Sequence, residues 1–409
     1  MGSGKTSWAF QDLFNRNLDE NILYITPFLS EIEGENGRIP KAIRSGEIKR
    51  DIVTPKNMGS GKLGNIANLI NNQMDIASTH ALFRMFDEDC KQALRDNDYT
   101  LILDETLDCV ERYSFGRKEK KNTKTKDKRE DMQFLIEQKQ IEIDSNGLVR
   151  WIGTDKNFIY NEVRTLAQNE ALFRVDDGFY VWHFPISIFK LFKKVYILTY
   201  MFDGSLMKYY FEMYNIDYNT KSISGDKGGY KLVDYYKPDL KPITDRLNIY
   251  KGNYNTNIPQ KENVLSTTWS QSAYNQKYMR RIQNNMYCFV RNEINAKSND
   301  VMWTSIKESK KKLQGKGYTK GFLPCNIRAQ NDFRNKTCLM YAVNWYVNPE
   351  ILKFFTQHGI MVNQDKIALS TMLQWIWRSN IREPKSDKII NIYIPSIRMR
   401  RLLYQWLDV

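Results

Sequence analysis

Gly2-Ser3-Gly4-Lys5-Thr6 at the start of the chain and Leu101-Ile102-Leu103-Asp104-Glu105-Thr106 much further on are two halves of one chemistry. A Gly-rich turn that opens a helix turns backbone N–H groups toward phosphate. The lysine after it reaches the β- and γ-phosphates, and the next hydroxyl binds Mg²⁺. Gly2, Ser3, Gly4, Lys5 and Thr6 are therefore the candidate nucleotide-binding residues. An apolar strand ending in Asp-Glu supplies the complement, with Asp104 for the metal and Glu105 to orient or deprotonate the attacking water. The expected cofactors are ATP and Mg²⁺, the metal held by Thr6, Asp104 and the nucleotide's own oxygens. The leading Gly of the full G-x-x-x-x-G-K-[ST] pattern would fall before Met1, and the strand that feeds such a loop is missing, so the expectation is a native chain that starts upstream.

Two further stretches carry candidate residues. Met58-Gly59-Ser60-Gly61-Lys62 repeats the loop, but Leu63 follows where a metal-binding hydroxyl is needed and no second Asp-Glu strand remains. Lys62 is expected to touch a nucleic-acid phosphate rather than a second nucleotide. In Gln374-Trp375-Ile376-Trp377-Arg378-Ser379-Asn380-Ile381-Arg382, a spacing of four predicts one helix with Gln374, Arg378 and Arg382 on a single face. Arginine suits the charge that builds on a γ-phosphate during transfer.

Composition narrows the partners. Sixty-one Lys plus Arg against 47 Asp plus Glu leave a net charge of +14, which favours a polyanion. The basic residues gather at Arg117–Arg129, Lys307–Lys320 and Arg398, Arg400 and Arg401. The expected partner is DNA, single-stranded or forked, with RNA as the alternative. The five cysteines and three histidines are scattered and form no C-x-x-C pair, which argues against a zinc site or a disulfide framework. No apolar run approaches the ~20 residues of a membrane span, and the sequence shows no signal-peptide pattern. A soluble, cytoplasmic protein with no membrane partner is expected.

The elements that must position these residues read as α/β alternation. Ser7–Arg16 reads as a helix, Asn21–Thr26 and Asp51–Thr54 as strands, and Leu63–Asn71 as a helix. Asp75–Ser78 is a strand leading to Thr79-His80-Ala81-Leu82-Phe83, and a helix through Asp96 precedes the Asp-Glu strand. Residues 113–184 break the rhythm with a lysine-rich stretch, a helix at Arg129–Gln140 and the β-like runs LVRWIG and GFYVWHF. Val195–Phe202 resumes it as a buried strand. A Lys-, Gly-, Pro- and Asp-rich connection leads to a second alternating block that contains DVMWTSI and IINIYIPS. At 409 residues two domains are the natural expectation.

The ordered set GSGKT, LILDET, ILTYMF and Q-x-x-x-R-x-x-x-R resembles the superfamily 2 (DEAD-like) helicases, and VTPKN, STHALF and the closing QWIWRSNIREP…IYIPSIRMRRLLYQWL are similar to those of tailed bacteriophages. The resemblance implies two RecA-like lobes with parallel sheets. Lobe 1 would cover 1–112 and 185–215, with an insertion at 113–184. A connection at 216–262 would lead to lobe 2 at 263–409. It implies ATP between the lobes, Glu105 and Gln374 with the arginine fingers Arg378 and Arg382 as catalytic residues, and Thr199 as the coupling motif. Thr79, His80, Lys62 and Arg328 would contact nucleic acid. The implied activity is an ATP-dependent DNA helicase or translocase serving phage replication or recombination, and the implied protein partners are phage replication proteins. Two alternatives stand beside it: a nucleic-acid-binding replication factor with a decayed ATPase site, and a terminase-type packaging ATPase. The chain departs from the pattern at Thr199-Tyr200-Met201, where Ser/Thr-Ala-Ser/Thr is usual, and by one extra residue between the last arginines.

Overall fold

The computed structural model describes residues 4–16, 20–59, 61–114, 128–154, 160–175, 178–226, 228–326, 333–383 and 385–408. It divides into two units. The first holds Gly4–Leu232 and Val347–Val362, the second Val233–Tyr346 and Asn363–Val409.

The first unit is built on strands β1 (Asn21–Thr26), β2 (Ile52–Val53), β3 (Asp75–Thr79) and β4 (Tyr99–Asp104). Its insertion carries β5 (Val110–Tyr113), β6 (Ile141–Ile143), β7 (Val149–Trp151), β8 (Leu172–Val175) and β9 (Phe179–His183), after which β10 (Lys194–Leu198) rejoins the main sheet. That sheet runs β10-β4-β1-β3-β2, parallel throughout. A parallel sheet is covered on both faces, which is why ILYIT and LILD read as unbroken apolar stretches; every residue of β4 is buried. The helix after the phosphate loop is a four-residue α-turn, Lys5–Trp8, continued as a π-helix at Ala9–Leu13, and it packs Trp8, Phe10 and Phe14 against Tyr24 and Ile102. The first unit also ends in a hairpin of β11 (Lys221–Asp226) and β12 (Gly229–Asp234).

The insertion is a small α+β body. β5, β9 and β8 form an antiparallel sheet, β6 and β7 a hairpin, and Met132, Leu135, Val149, Val163 and Leu172 fill its core. The helix Pro349–Gln357, distant in sequence, belongs to this body: Phe354 meets the Phe173 ring at 5.4 Å and stacks on His183.

The second unit carries a parallel sheet in the order β13 (Leu247–Ile249), β16 (Ile390–Tyr393), β15 (Cys338–Ala342) and β14 (Val301–Ser305). Trp303, Tyr318, Met340 and Tyr393 centre its core. The α/β class holds, with each unit on its own parallel sheet and an insertion in the first. The C-terminal lobe extends to β13 within 216–262, and the units part at Leu232–Val233.

Three expectations change. Val195–Phe202 is not a buried strand throughout: β10 is an edge strand that ends at Leu198, and Met201 turns the chain away at φ +54°. The helix carrying Gln374 stops at Ile376, so it does not continue to Arg382. Ser379 breaks it, donating through Oγ to the Ile376 carbonyl and accepting from Ile381 N to start a separate 3₁₀ turn at Asn380–Arg382. Gln374, Arg378 and Arg382 therefore share no helix face. The C-terminal arginines are not a free basic patch. Arg398 is buried against Asp365, Asn344 and the Trp345 carbonyl, Arg400 donates to Asn255 and two carbonyls, and Arg401 pairs with Glu262.

Candidate active site

Gly4 begins the site in the left-handed region, φ +78°, a conformation open to glycine at little cost. From there the chain enters the short helix, with Trp8 N donating to the Gly4 carbonyl at 2.7 Å. That places Thr6 at the carboxyl end of β4, where its Oγ1 donates to Asp104 Oδ1 at 3.2 Å. Gly2 and Ser3 lie outside the described residues, as does Arg328. Lys5 opens the helix.

Three side chains meet at the Asp104 carboxylate. Besides Thr6 on one oxygen, Tyr24 Oη donates to Oδ2 at 2.9 Å, and Arg38 Nη1 stands 3.9 Å from that same oxygen. Tyr24 comes from the neighbouring strand, paired in register with Ile102. Burial first, and the Asp104 charge next, push its hydroxyl well above the ordinary tyrosine range, so it remains a donor. The Arg38 guanidinium sits over the Phe10 ring at 5.4 Å. Nothing in the sequence singled out Tyr24 or Arg38, because only strand pairing and the fold of the 38–44 helix bring them to Asp104.

One residue on, the backbone reverses. Glu105 takes φ +69°, unusual for a non-glycine residue, and its N–H donates to the Leu198 carbonyl at 3.3 Å. The Thr199 hydroxyl donates to Glu105 Oε2 at 3.4 Å. The turn thus holds the glutamate beside Asp104 while aiming it elsewhere, and it ties Glu105 to the end of β10.

Two hard oxygens, Thr6 Oγ1 and Asp104 Oδ1, lie close to the ~3 Å edge of a Mg²⁺ octahedron with ligands near 2.1 Å. Such an ion keeps several waters and takes phosphate oxygens rather than an all-protein cage, and this donor set fits that habit.

His80 and Thr79 serve the framework. His80 is 7% exposed and its Nε2 lies 3.1 Å from the Asp104 carbonyl oxygen, which accepts from it. A ring so enclosed offers no face to a nucleic-acid base, and the expected contact gives way to holding the end of β4. Thr79 caps the following turn, its Oγ1 accepting from Leu82 N. Lys62 opens the helix Gly61–Asn71 behind Gly61 at φ +75°, the same left-handed entry as Gly4, and a side chain added at Gly61 would meet open space. Gln374, Arg378 and Arg382 lie in the second unit, on the end of one helix and the turns after it.

A second aromatic marks the loop itself. The Tyr230 ring of the β11–β12 hairpin lies so close to Gly4 that a Cβ there would come within 2.2 Å of it, and Tyr230 N donates to Gln11 Oε1.

Comparison with known proteins places the chain in a lineage. The model of the YonV C-terminal Rossmann-like domain matches residues 241–407 and that of the YonV middle domain residues 124–182. The SPbeta prophage-derived protein YonV of Bacillus subtilis (strain 168) is 34% identical over 420 residues, covering 100% of this chain and 97% of the relative. The solved structure of S. tokodaii Xpd4 aligns with TM-score 0.45 and 11% identity over 100% of this chain and 92% of that one, too distant a likeness to carry a function across. Among the described residues no helix is long and apolar enough to cross a membrane.

Proposed function

The chain belongs to the YonV family, and from the site on its first unit we propose that it is a nucleic-acid-dependent ATPase of phage or prophage origin, an ATP-driven DNA helicase or translocase acting in replication or recombination. The observation that carries the reading is the 3.2 Å approach of Thr6 to Asp104, two residues 98 apart in sequence brought together where a magnesium–nucleotide would need them.

In this reading Gly4 and Lys5 cradle the phosphates of ATP. Thr6 and Asp104 would hold Mg²⁺, which would supply charge neutralisation for the phosphates. The Tyr24 hydroxyl fixes the rotamer of Asp104. Glu105, turned out by its left-handed backbone, orients or deprotonates the attacking water, and Thr199 reports the state of that carboxylate to the end of β10. Arg378 and Arg382 remain the proposed arginine fingers, with Gln374 beside them. The prophage origin of the relative agrees with the +14 charge in suggesting DNA as the polyanion.

A second reading, a nucleic-acid-binding replication factor with an inactive ATP site, has one observation in its favour: the Tyr230 ring rests on Gly4. Steady-state ATP hydrolysis with and without single-stranded DNA separates the two. The expected result is DNA-stimulated, Mg²⁺-dependent turnover that falls by roughly 10²–10⁴ in Glu105→Gln. Turnover that survives that substitution would remove Glu105 from the mechanism, and DNA binding with no turnover at all would favour the second reading.

A further inference from the structure

We propose that one face of the second unit, made by the helix Gln276–Cys288 and the 307–320 segment, is a binding surface for single-stranded nucleic acid. It deepens the nucleic-acid reading above and rests on it only for the class of partner.

The surface is assembled from two separate stretches. Residues 263–292 contain no Asp or Glu, while Lys277, Arg280 and Arg281 stand exposed on the helix. Residues 307–320 hold six lysines against the single acid Glu308, and all six lysines are exposed. Folding lays one stretch beside the other. Leu313 joins Met279, Ile282 and Met286 in the core, Gln283 Nε2 donates to the Gln314 carbonyl at 2.6 Å, and the Arg291 guanidinium lies against Gly317.

These cations are unspent. Among the described residues, none of Lys277, Arg280, Arg281, Lys311, Lys312 or Lys316 forms an ion pair with a carboxylate; Arg281 donates only to the Asn257 carbonyl. The C-terminal arginines of the same unit show the contrast, since their guanidiniums are satisfied internally. Like charges spaced three and four apart repel along a helix, and a face that keeps them without compensation fits a polyanion that would supply it.

Exposed rings distinguish a nucleic acid from any other polyanion. Tyr274, 74% exposed, lies in the turn just before the helix, and Tyr287, 40% exposed, sits near its end. The Lys277 ammonium lies 5.1 Å from the Tyr274 ring centre and 5.0 Å from that of Tyr278. Flat rings interleaved with cations match the alternation of bases and phosphates on a single strand, with bases stacking on the rings.

The test is fluorescence anisotropy of an oligo-dT with the full chain across a series of KCl concentrations. The variants are Lys277→Gln/Arg280→Gln/Arg281→Gln, Lys311→Gln/Lys312→Gln/Lys316→Gln, and Tyr274→Ala. Each triple variant should bind at least tenfold more weakly at low salt and reduce the slope of log affinity against log salt by about 2, at roughly 0.7 for each single-strand phosphate that is no longer neutralised. Tyr274→Ala should weaken oligo-dT binding while leaving inorganic polyphosphate binding unchanged. Circular dichroism of each variant confirms that these exposed changes leave the fold intact, and ATP turnover without DNA should stay at the wild-type level. Unchanged slopes in both triple variants overturn the proposal. So does competition by poly-glutamate as strong as by oligo-dT together with an inert Tyr274→Ala, which would point to an acidic protein partner. Loss of oligo-dT binding in the triple variants of a protein with no ATP turnover would sustain this surface while sinking the motor.

Discussion

Gly4 carries two constraints at one atom: its φ of +78° and the Tyr230 ring in the space where a Cβ would go. Gly4→Ala should lose on both counts, the left-handed backbone alone costing about 1–2 kcal/mol. The expected outcome is a melting temperature lowered by several degrees and abolished ATP turnover. A Gly4→Ala/Tyr230→Ala double variant should recover part of the stability, since the clash goes and the backbone strain stays. Differential scanning fluorimetry beside a turnover assay checks both. At this scale the residues that belong to a contiguous motif were legible. Thr6 lies against Asp104 and Thr199 against Glu105, the first pair named by the two motifs and Thr199 only by the family resemblance. Tyr24 and Arg38 were not, because an interior tyrosine in Asn21–Thr26 reads as core until its strand partner is known. His80 entered as a contact residue through the family resemblance alone, and a Thr-His pair says nothing about burial.

Among the elements, the start of β3 is secured by one side chain. Arg50, 6% exposed, donates to Asp75, the Phe14 carbonyl and the Glu20 carbonyl, binding the end of the π-helix and the approach to β1 to the same point. Removing one partner of a buried pair leaves the other charge uncompensated, at about 3–5 kcal/mol. Arg50→Ala should therefore destabilise the first unit on that order, seen as a lower denaturant midpoint, whereas Arg95→Ala on an exposed helix face should change it by less than about 1 kcal/mol. Parallel strands announced themselves as apolar runs, and Asn21–Thr26 falls where expected. The exceptions share a cause. The 374–382 helix looked continuous because its apolar residues persist, while the terminator, Ser379, acts through hydrogen bonds that no periodicity records. β13 is three residues long inside a polar connection, too short to show alternation and held by its pairing with β16.

On the scale of the whole molecule, the first unit is not a continuous piece of chain. Pro349–Gln357 completes the insertion through Phe354, which meets Phe173 and His183, and Glu350 lies 3.7 Å from Arg112. A chain ending at residue 232 keeps Gly4–Thr6, Asp104 and Glu105 yet should be aggregation-prone and bind a hydrophobic dye, because the Phe173 face is left bare. Adding a synthetic peptide spanning 347–362 should reduce that dye signal. A soluble, dye-silent fragment would show that the helix is dispensable. The two-lobe plan could be read from the order of motifs, but this exchange could not, since nothing in Pro349–Gln357 itself marks the body it packs on.

The order of the second sheet also sets a clock. β16, made last, lies between β13 and β15, so β13 has no partner until residue 390 has left the ribosome, 141 residues after Ile249. At roughly 5–20 residues per second that interval is about 7–28 s. Through it the nascent chain holds one strand of its sheet in waiting, and the sheet closes only when β16 arrives.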